Sequence, residues 1–309
     1  MFRREVCHAA VAVGAKRIGL VALVVLAAVA AVSTNVARAA EVACGSEIST
    51  STILHHDFTC SGDGFFLDDG VTLDLAGHTL AGSGTGLGIQ GEVGSTIVNG
   101  TIRNFSIGIS ASGSVLRGLA IKENVLWGVL SAPGSGCFTM VADVVTKNGD
   151  GVVADGCGIG ASLTNSHVSR NKGDGISILG QTDESLVRGN TVEHNGGDGI
   201  HADNSTTSFI NNVSARNGGD GIHVFEDFPP PIAQGYFFAG NDAEHNGNYG
   251  IEVFLVYTDQ HVTNGGGNIA RHNGNPAQCL NIECITSGKA VPSIYGGNWM
   301  PHPTIHPRP

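Results

Sequence analysis

Apolar and polar residues alternate along this chain over very short stretches. Val71, Leu73 and Leu75 are separated by Thr72 and Asp74, a spacing that turns one face of a strand inward and the other to water. No 11-residue stretch keeps a helical period, so the pattern predicts an all-β chain. From about Ser95 to Gln260 the short strands come in threes, divided by corners at Asn or Gly. One unit reads Leu186-Val-Arg-Gly-Asn190-Thr-Val-Glu-His-Asn195-Gly-Gly-Asp-Gly-Ile200-His-Ala-Asp203. Its phrase Asn195–Ile200 returns at Asn217–Ile222, and looser copies run on both sides. The marker glycines are Gly108, Gly128, Gly151, Gly175, Gly199, Gly221 and Gly250, at steps of 20, 23, 24, 24, 22 and 29 residues. A turn recurring at this period marks a stacked solenoid, and three strands per coil make it a parallel β-helix of about 8–10 coils.

Two polar slots repeat with the turn. Asn104, Asn124, Asn171, Asn195, Asn217 and Asn246 precede the marker by four residues, and Asn99, Asn190, Asn212 and Asn241 by nine. Stacked coils bring equal slots within about 4.8 Å, so these side chains are expected to form hydrogen-bonded ladders. The chain divides into a leader at 1–39, an N-terminal cap at 40–70, the solenoid at 71–275, and a C-terminal cap and tail at 276–309.

Composition sharpens this picture. Gly supplies 46 of 309 residues, about twice the usual share, which the repeat explains as turn positions needing unusual backbone angles. A net charge of −11 leaves no basic stripe for nucleic acid and suits a cation, or a neutral or cationic glycan. Arg3, Arg4, Lys16 and Arg17 precede the apolar run Ile18–Val32, and Ala37-Arg38-Ala39 has the small-x-small form of a signal-peptidase site. Cleavage after Ala39 gives a secreted or periplasmic monomer free of the membrane; an uncleaved anchor is the alternative. Cys44, Cys60, Cys137, Cys157, Cys279 and Cys284 remain after the leader, an even set that favours disulfides outside the cytoplasm. Locality pairs Cys44–Cys60, Cys137–Cys157 and Cys279–Cys284.

Candidate chemistry gathers near the repeated turn. Asp150, Asp174, Asp198 and Asp220 occupy one position of the turn and should stack, where mutual repulsion would be relieved by Ca²⁺. The other reading is a plain Gly-Asp-Gly turn with water-exposed aspartates. In the strand that follows, Ile176, Ile200, Ile222 and Ile251 point inward, so Ser177, His201, His223 and Glu252 point out. Two residues on, Asp155, Asp203, Phe225 and Phe254 also face out. The insertion Phe225–Gly235 lengthens one coil, and loops on a rigid scaffold are where binding residues concentrate. Phe225, Phe228, Tyr236, Phe254 and Tyr257 would offer flat faces to sugars. His201, His223, Asp198, Asp220 and Glu252 would supply acids and bases, with Asp203 and Glu226 beside them as sugar contacts. His194, His245 and His272 flank the Asn slot, where stacked imidazoles would suit copper or zinc.

These coils resemble the right-handed parallel β-helix repeats of pectate-lyase-like secreted proteins. The stretch Thr72-Leu-Asp-Leu-Ala-Gly-His78 is similar to the first coil of many bacterial members. The resemblance spans about Ile53–Arg271 and implies that the strand after the turn floors a substrate groove. It implies a protein that binds an extracellular polysaccharide and, as an enzyme, cleaves it as a lyase or a glycoside hydrolase. Two departures stand against a simple transfer. No Lys or Arg lies on the predicted groove face, and no Gly-His-Gly accompanies Arg170-Asn-Lys172. A non-catalytic surface or adhesion protein and a periplasmic metal-binding protein therefore stay open as alternatives.

Overall fold

The structure, a computed structural model, describes residues 42–156, 160–180, 183–227, 235–257, 261–286 and 289–291. The expected leader, Cys157, Phe228 and the tail after residue 291 lie outside them. Every regular element among the described residues is a strand. Eleven strands, from Ser46–Ile48 to Cys279–Leu280, stack in one parallel sheet in the order in which the chain visits them. The remaining strands close each coil through parallel pairs such as Ser185–Arg188 with Thr207–Ile210, and Thr191–Glu193 with Val213–Ala215. The sequence expectation of an all-β parallel solenoid holds. The stretch read as a separate cap is already coiled, since Ser46–Ile48 and Phe65–Leu67 are the first two strands of the sheet.

Equal positions lie over equal positions. Ile176, Ile200, Ile222 and Ile251 pair in one register and are fully buried. A second inward column, Ile178, Ala202, Val224 and Val253, follows two residues later and is equally buried. Val187, Phe209 and Phe238 meet them from the opposite sheet, and Phe209 stacks on Phe238 at 4.9 Å. Burying an aliphatic side chain of this size contributes about 1.5–3 kcal/mol, so the repeated Ile column is a principal source of stability for each coil.

The first ladder forms, displaced at its start. The Asn195 Oδ1 accepts the main-chain N–H of Asn171 at 3.0 Å and its Nδ2 at 2.9 Å. Asn195 in turn donates both groups to the Asn217 Oδ1. The chain of bonds runs from Asn124 through Asn148, Asn171, Asn195, Asn217 and Asn246 to Asn273. Asn104 is not part of it: Phe105 fills that slot and donates its N–H to Asn124, while Asn104 turns the corner at φ 59°. The second ladder links Asn190, Asn212, Asn241 and Asn268. Asn99 lies outside it, at a corner with φ 59°. Asp143 and Ser166 carry that slot toward the N-terminal end.

The glycines of the turn have another cause than the one expected. The left-handed corner falls on the residue before each ladder Asn, including His194 (φ 58°), Arg216 (φ 57°) and His245 (φ 57°). The marker glycines are instead sites of close approach. A Cβ on Gly199 would lie 2.0 Å from the Ser214 hydroxyl, and one on Gly197 would lie 2.1 Å from the Asp174 Oδ1. Cys44–Cys60 and Cys279–Cys284 are disulfides, and Cys137 is disulfide-bonded as well. No helix among the described residues is long and apolar enough to cross a membrane.

Candidate functional site

The outward columns predicted from alternation are in place. Ser177, His201, His223 and Glu252 stack in register, and Leu179, Asp203, Phe225 and Phe254 stack beside them. The aspartate column lies one turn earlier. Each aspartate ties one oxygen to the coil that follows: the Asp174 Oδ1 accepts the N–H of Asp198 at 2.7 Å, the Asp198 Oδ1 that of Asp220 at 2.6 Å, and the Asp220 Oδ1 that of Tyr249 at 2.6 Å. Asp150 does the same for Asp174 at 3.2 Å. The column therefore holds coils together, and its members are neither free turn residues nor a converging set of four cation ligands. What remains for chemistry is each second oxygen.

Around Asp198 that oxygen gathers two histidines. The Asp198 Oδ2 lies 3.3 Å from the His201 Nδ1 and 3.0 Å from the His223 Nδ1, and the two rings meet edge to face at 4.9 Å. The His223 Nε2 faces the Glu252 Oε2 at 3.7 Å, and Glu252 and Asp220 each bring a carboxylate oxygen within 4.8 Å of that imidazole and of each other. Five of the residues singled out from the sequence thus form one continuous cluster.

Its protonation is divided. Burial opposes ionisation of Asp198, but the bonds from His201, His223 and the Asp220 N–H outweigh it and hold the carboxyl well below the usual range. Burial and the neighbouring Glu252 carboxyl push Asp220 up to about 7. Burial also works against a charge on His223, yet the Asp198 hydrogen bond and the surrounding carboxylates carry it above its ordinary value. One ionised carboxylate thus stands beside a carboxyl pair that keeps a proton near neutrality, a division typical of acid–base sites.

The aromatic expectation is met in part. Phe225 and Phe254 stack in parallel at 5.7 Å, tilted by 4°, on the same face and two residues from the His column. Tyr257 is half-buried at the edge of this region, and Phe228 lies outside the described residues. Asp203 stands next to Phe225, and its Oδ1 is buried without a hydrogen-bond partner. Two expected groove residues are interior instead. Glu226 is fully buried and Tyr236 is 1% exposed, and the tyrosine hydroxyl donates to the Glu226 Oε2 at 2.8 Å. Strand parity could have shown the first error, because Glu226 shares the inward phase of Ile222 and Val224. The insertion hid the second, since it disguised the register in which Tyr236 and Phe238 point inward.

Three groups among the described residues bring possible metal ligands within 4.8 Å of one another: Asp198 with His201 and His223, Asp220 with His223 and Glu252, and Glu244 with His245 and His272. Each mixes nitrogen and oxygen donors, unlike the all-aspartate Ca²⁺ column expected. His245 and His272 do stack, at 5.0 Å, whereas no such group includes His194.

A model of the family described as right handed beta helix region matches residues 127–282. No curated protein matches the chain by sequence. Among solved structures, the A-module of mannuronan C-5 epimerase AlgE6 from Azotobacter vinelandii superposes at a TM-score of 0.50 with 15% identity, over 78% of this chain and 74% of that one. ORF18 of Geobacillus virus E2 gives 0.50 with 12% identity, over 80% and 55%. Pectate lyase Pel9A gives 0.48 with 12% identity, over 82% and 74%. At these identities the likeness speaks for the fold.

Proposed function

This chain belongs to the right-handed beta helix family, and we propose that on this scaffold it is a secreted carbohydrate-active protein that binds an extracellular polysaccharide across its coils and cleaves it. The observation that carries the reading is the juxtaposition of the Phe225–Phe254 stack with the Asp198–His201–His223–Glu252–Asp220 cluster on one sheet face. Parallel aromatic faces suit sugar rings. Asp220 lies beside the Glu252 carboxyl and keeps its proton up to about 7, so it is placed to donate that proton to a departing glycosidic oxygen. The Asp198–His201–His223 trio is the side that activates water. The similarly folded mannuronan C-5 epimerase acts, as its name says, on a polysaccharide, which supports the class of substrate and leaves its identity to the site.

The site favours a neutral or amino sugar over a polyuronate. None of the eleven strands of this sheet carries Lys or Arg, so a uronate carboxylate would face Asp198 and Glu252 without a compensating cation from these strands. Disulfides at Cys44–Cys60 and Cys279–Cys284 suit an oxidising compartment. A glycan panel assayed for new reducing ends and for unsaturated products tests the proposal. Reducing ends without unsaturation, lost in Glu252→Gln, are expected. Unsaturated products would convert the reading to a lyase, and binding without any product would make the protein a lectin-like module.

A further inference from the structure

We propose that Asp198, His201 and His223 form a binding site for one divalent transition-metal ion of the zinc, cobalt or manganese class. Three observations carry this. First, the ligand atoms converge: Asp198 Oδ2, His201 Nδ1 and His223 Nδ1 lie within 4.8 Å of one another, with both imidazole nitrogens already directed at the same carboxylate oxygen at 3.3 and 3.0 Å. Two neutral imidazoles and a carboxylate are a donor set for transition ions, whereas Ca²⁺ takes oxygen alone.

Second, the groups that orient metal ligands are in place. Ligating histidines characteristically present the other ring nitrogen to a carboxylate or carbonyl, and the His223 Nε2 faces the Glu252 Oε2 at 3.7 Å. The other oxygen of Asp198 is fixed by the Asp220 N–H at 2.6 Å, which leaves Oδ2, the oxygen that both histidines face, for the ion. Third, the site is sheltered, with side chains 17–22% exposed, and its two histidines sit on neighbouring strands in register. The neighbouring Asp220–His223–Glu252 group is the weaker candidate, because it offers a single imidazole nitrogen beside two carboxylates. The Glu244–His245–His272 group is weaker still: its histidines are exposed, and the Arg271 guanidinium already holds Glu244 at 2.9 Å.

Three protein ligands leave an open position, the arrangement in which a bound ion holds a water. That last step rests on the cleavage reading, since it supplies the water-activating side of the site; binding of the ion does not.

The test uses the whole mature chain, stripped with chelator and titrated with Zn²⁺ and, for its visible spectrum, Co²⁺. The expected result is about one ion per chain, with a Co²⁺ spectrum of low coordination number. Affinity should fall at least a hundredfold in His201→Ala and in His223→Ala, and by about tenfold in Glu252→Gln, which leaves all three ligands intact. The double variant His245→Ala/His272→Ala should bind as the parent does. Retention of the parent affinity in both His201→Ala and His223→Ala overturns the proposal, as does loss confined to the His245/His272 variant. Circular dichroism of each variant separates lost binding from lost fold. Ion binding without glycan cleavage would defeat the cleavage reading and leave the metal site standing; chelator-resistant cleavage by a chain that binds no ion would do the reverse.

Discussion

The asparagine ladder and the aspartate column are built on the same device and reach opposite ends. In both, a side-chain Oδ1 accepts a main-chain N–H from a neighbouring coil, at 3.0 Å for Asn195 and 2.6 Å for Asp198. The difference lies in the second atom. The Nδ2 of an asparagine is a donor, and in the ladder it finds the next Oδ1 and a carbonyl, as Asn195 does with Asn217 and Val168. That chain of bonds is closed and buried. The second atom of an aspartate is another acceptor, so an aspartate column cannot close on itself. Its spare oxygens must find donors elsewhere, and at Asp198 they find two histidines. A saturated ladder is therefore structural, and an unsaturated one leaves valence for chemistry.

The largest effect should come from opening the closed ladder. Asn195→Ala strands the Asn171 N–H and amide in the interior, at about 1–3 kcal/mol for each buried unsatisfied group. Chemical denaturation should show a loss of about 2–4 kcal/mol. Gly197→Ala attacks the junction of the two columns, because its Cβ would press on the Asp174 Oδ1. It should cost about 1–3 kcal/mol, read as a lower Tm with the glycan-binding face distorted.

A third test concerns Asp143, an acid placed in an asparagine slot. Burial pushes it up to about 7, against the N–H bonds from Leu119 and Val141 that favour its ionised form. A raised carboxyl binds its proton more tightly folded than unfolded, so stability is greatest below the ordinary Asp range and declines as pH rises toward 7. Tm measured from pH 4 to 8 should fall, and Asp143→Asn should flatten the slope. An unchanged slope would show that Asp143 does not titrate in this range.

On the open column the effects should be on function. Phe225→Ala removes one half of the 5.7 Å stack and should weaken glycan affinity by about tenfold with the fold intact. Asp198→Asn keeps the Oδ1 bond to the Asp220 N–H but removes the charge that both histidines favour, so stability at neutral pH should fall. In the metal-free chain, NMR titration should show His223 titrating lower than in the parent, because its hydrogen-bonded anion is gone.

Much of this was legible in the chain. The step of the marker glycines announced coils, alternation placed Ile200 inward and His201 outward, and recurrent Asn195 and Asn217 announced a ladder. Exact slots were less legible: Asn104 and Asn99 have the right spacing from Gly108, yet they turn corners while Phe105 and other residues fill the ladder positions. A count back from the marker assumes turns of equal length, and the early coils do not keep it. Glycines such as Gly189 and Gly240 do take the left-handed angles expected of turn positions, but those of the repeated Gly-Asp-Gly turn serve close approach instead, and contact with a neighbouring coil does not show in local sequence.

The sequence by itself determined the period, the inward and outward phase of each strand, and the columns that stacking would create. A repeat in register encodes those through nearest-neighbour pairing alone. Only the tertiary structure decided which histidine joins which aspartate. Local spacing would pair His223 with Asp220, three residues before it, just as His201 joins Asp198. Instead Glu252, one coil further on, lies beside Asp220, and His223 reaches back to Asp198. That choice is a competition among donors and acceptors across three coils. No single repeat contains it, so it could be read only where the coils meet.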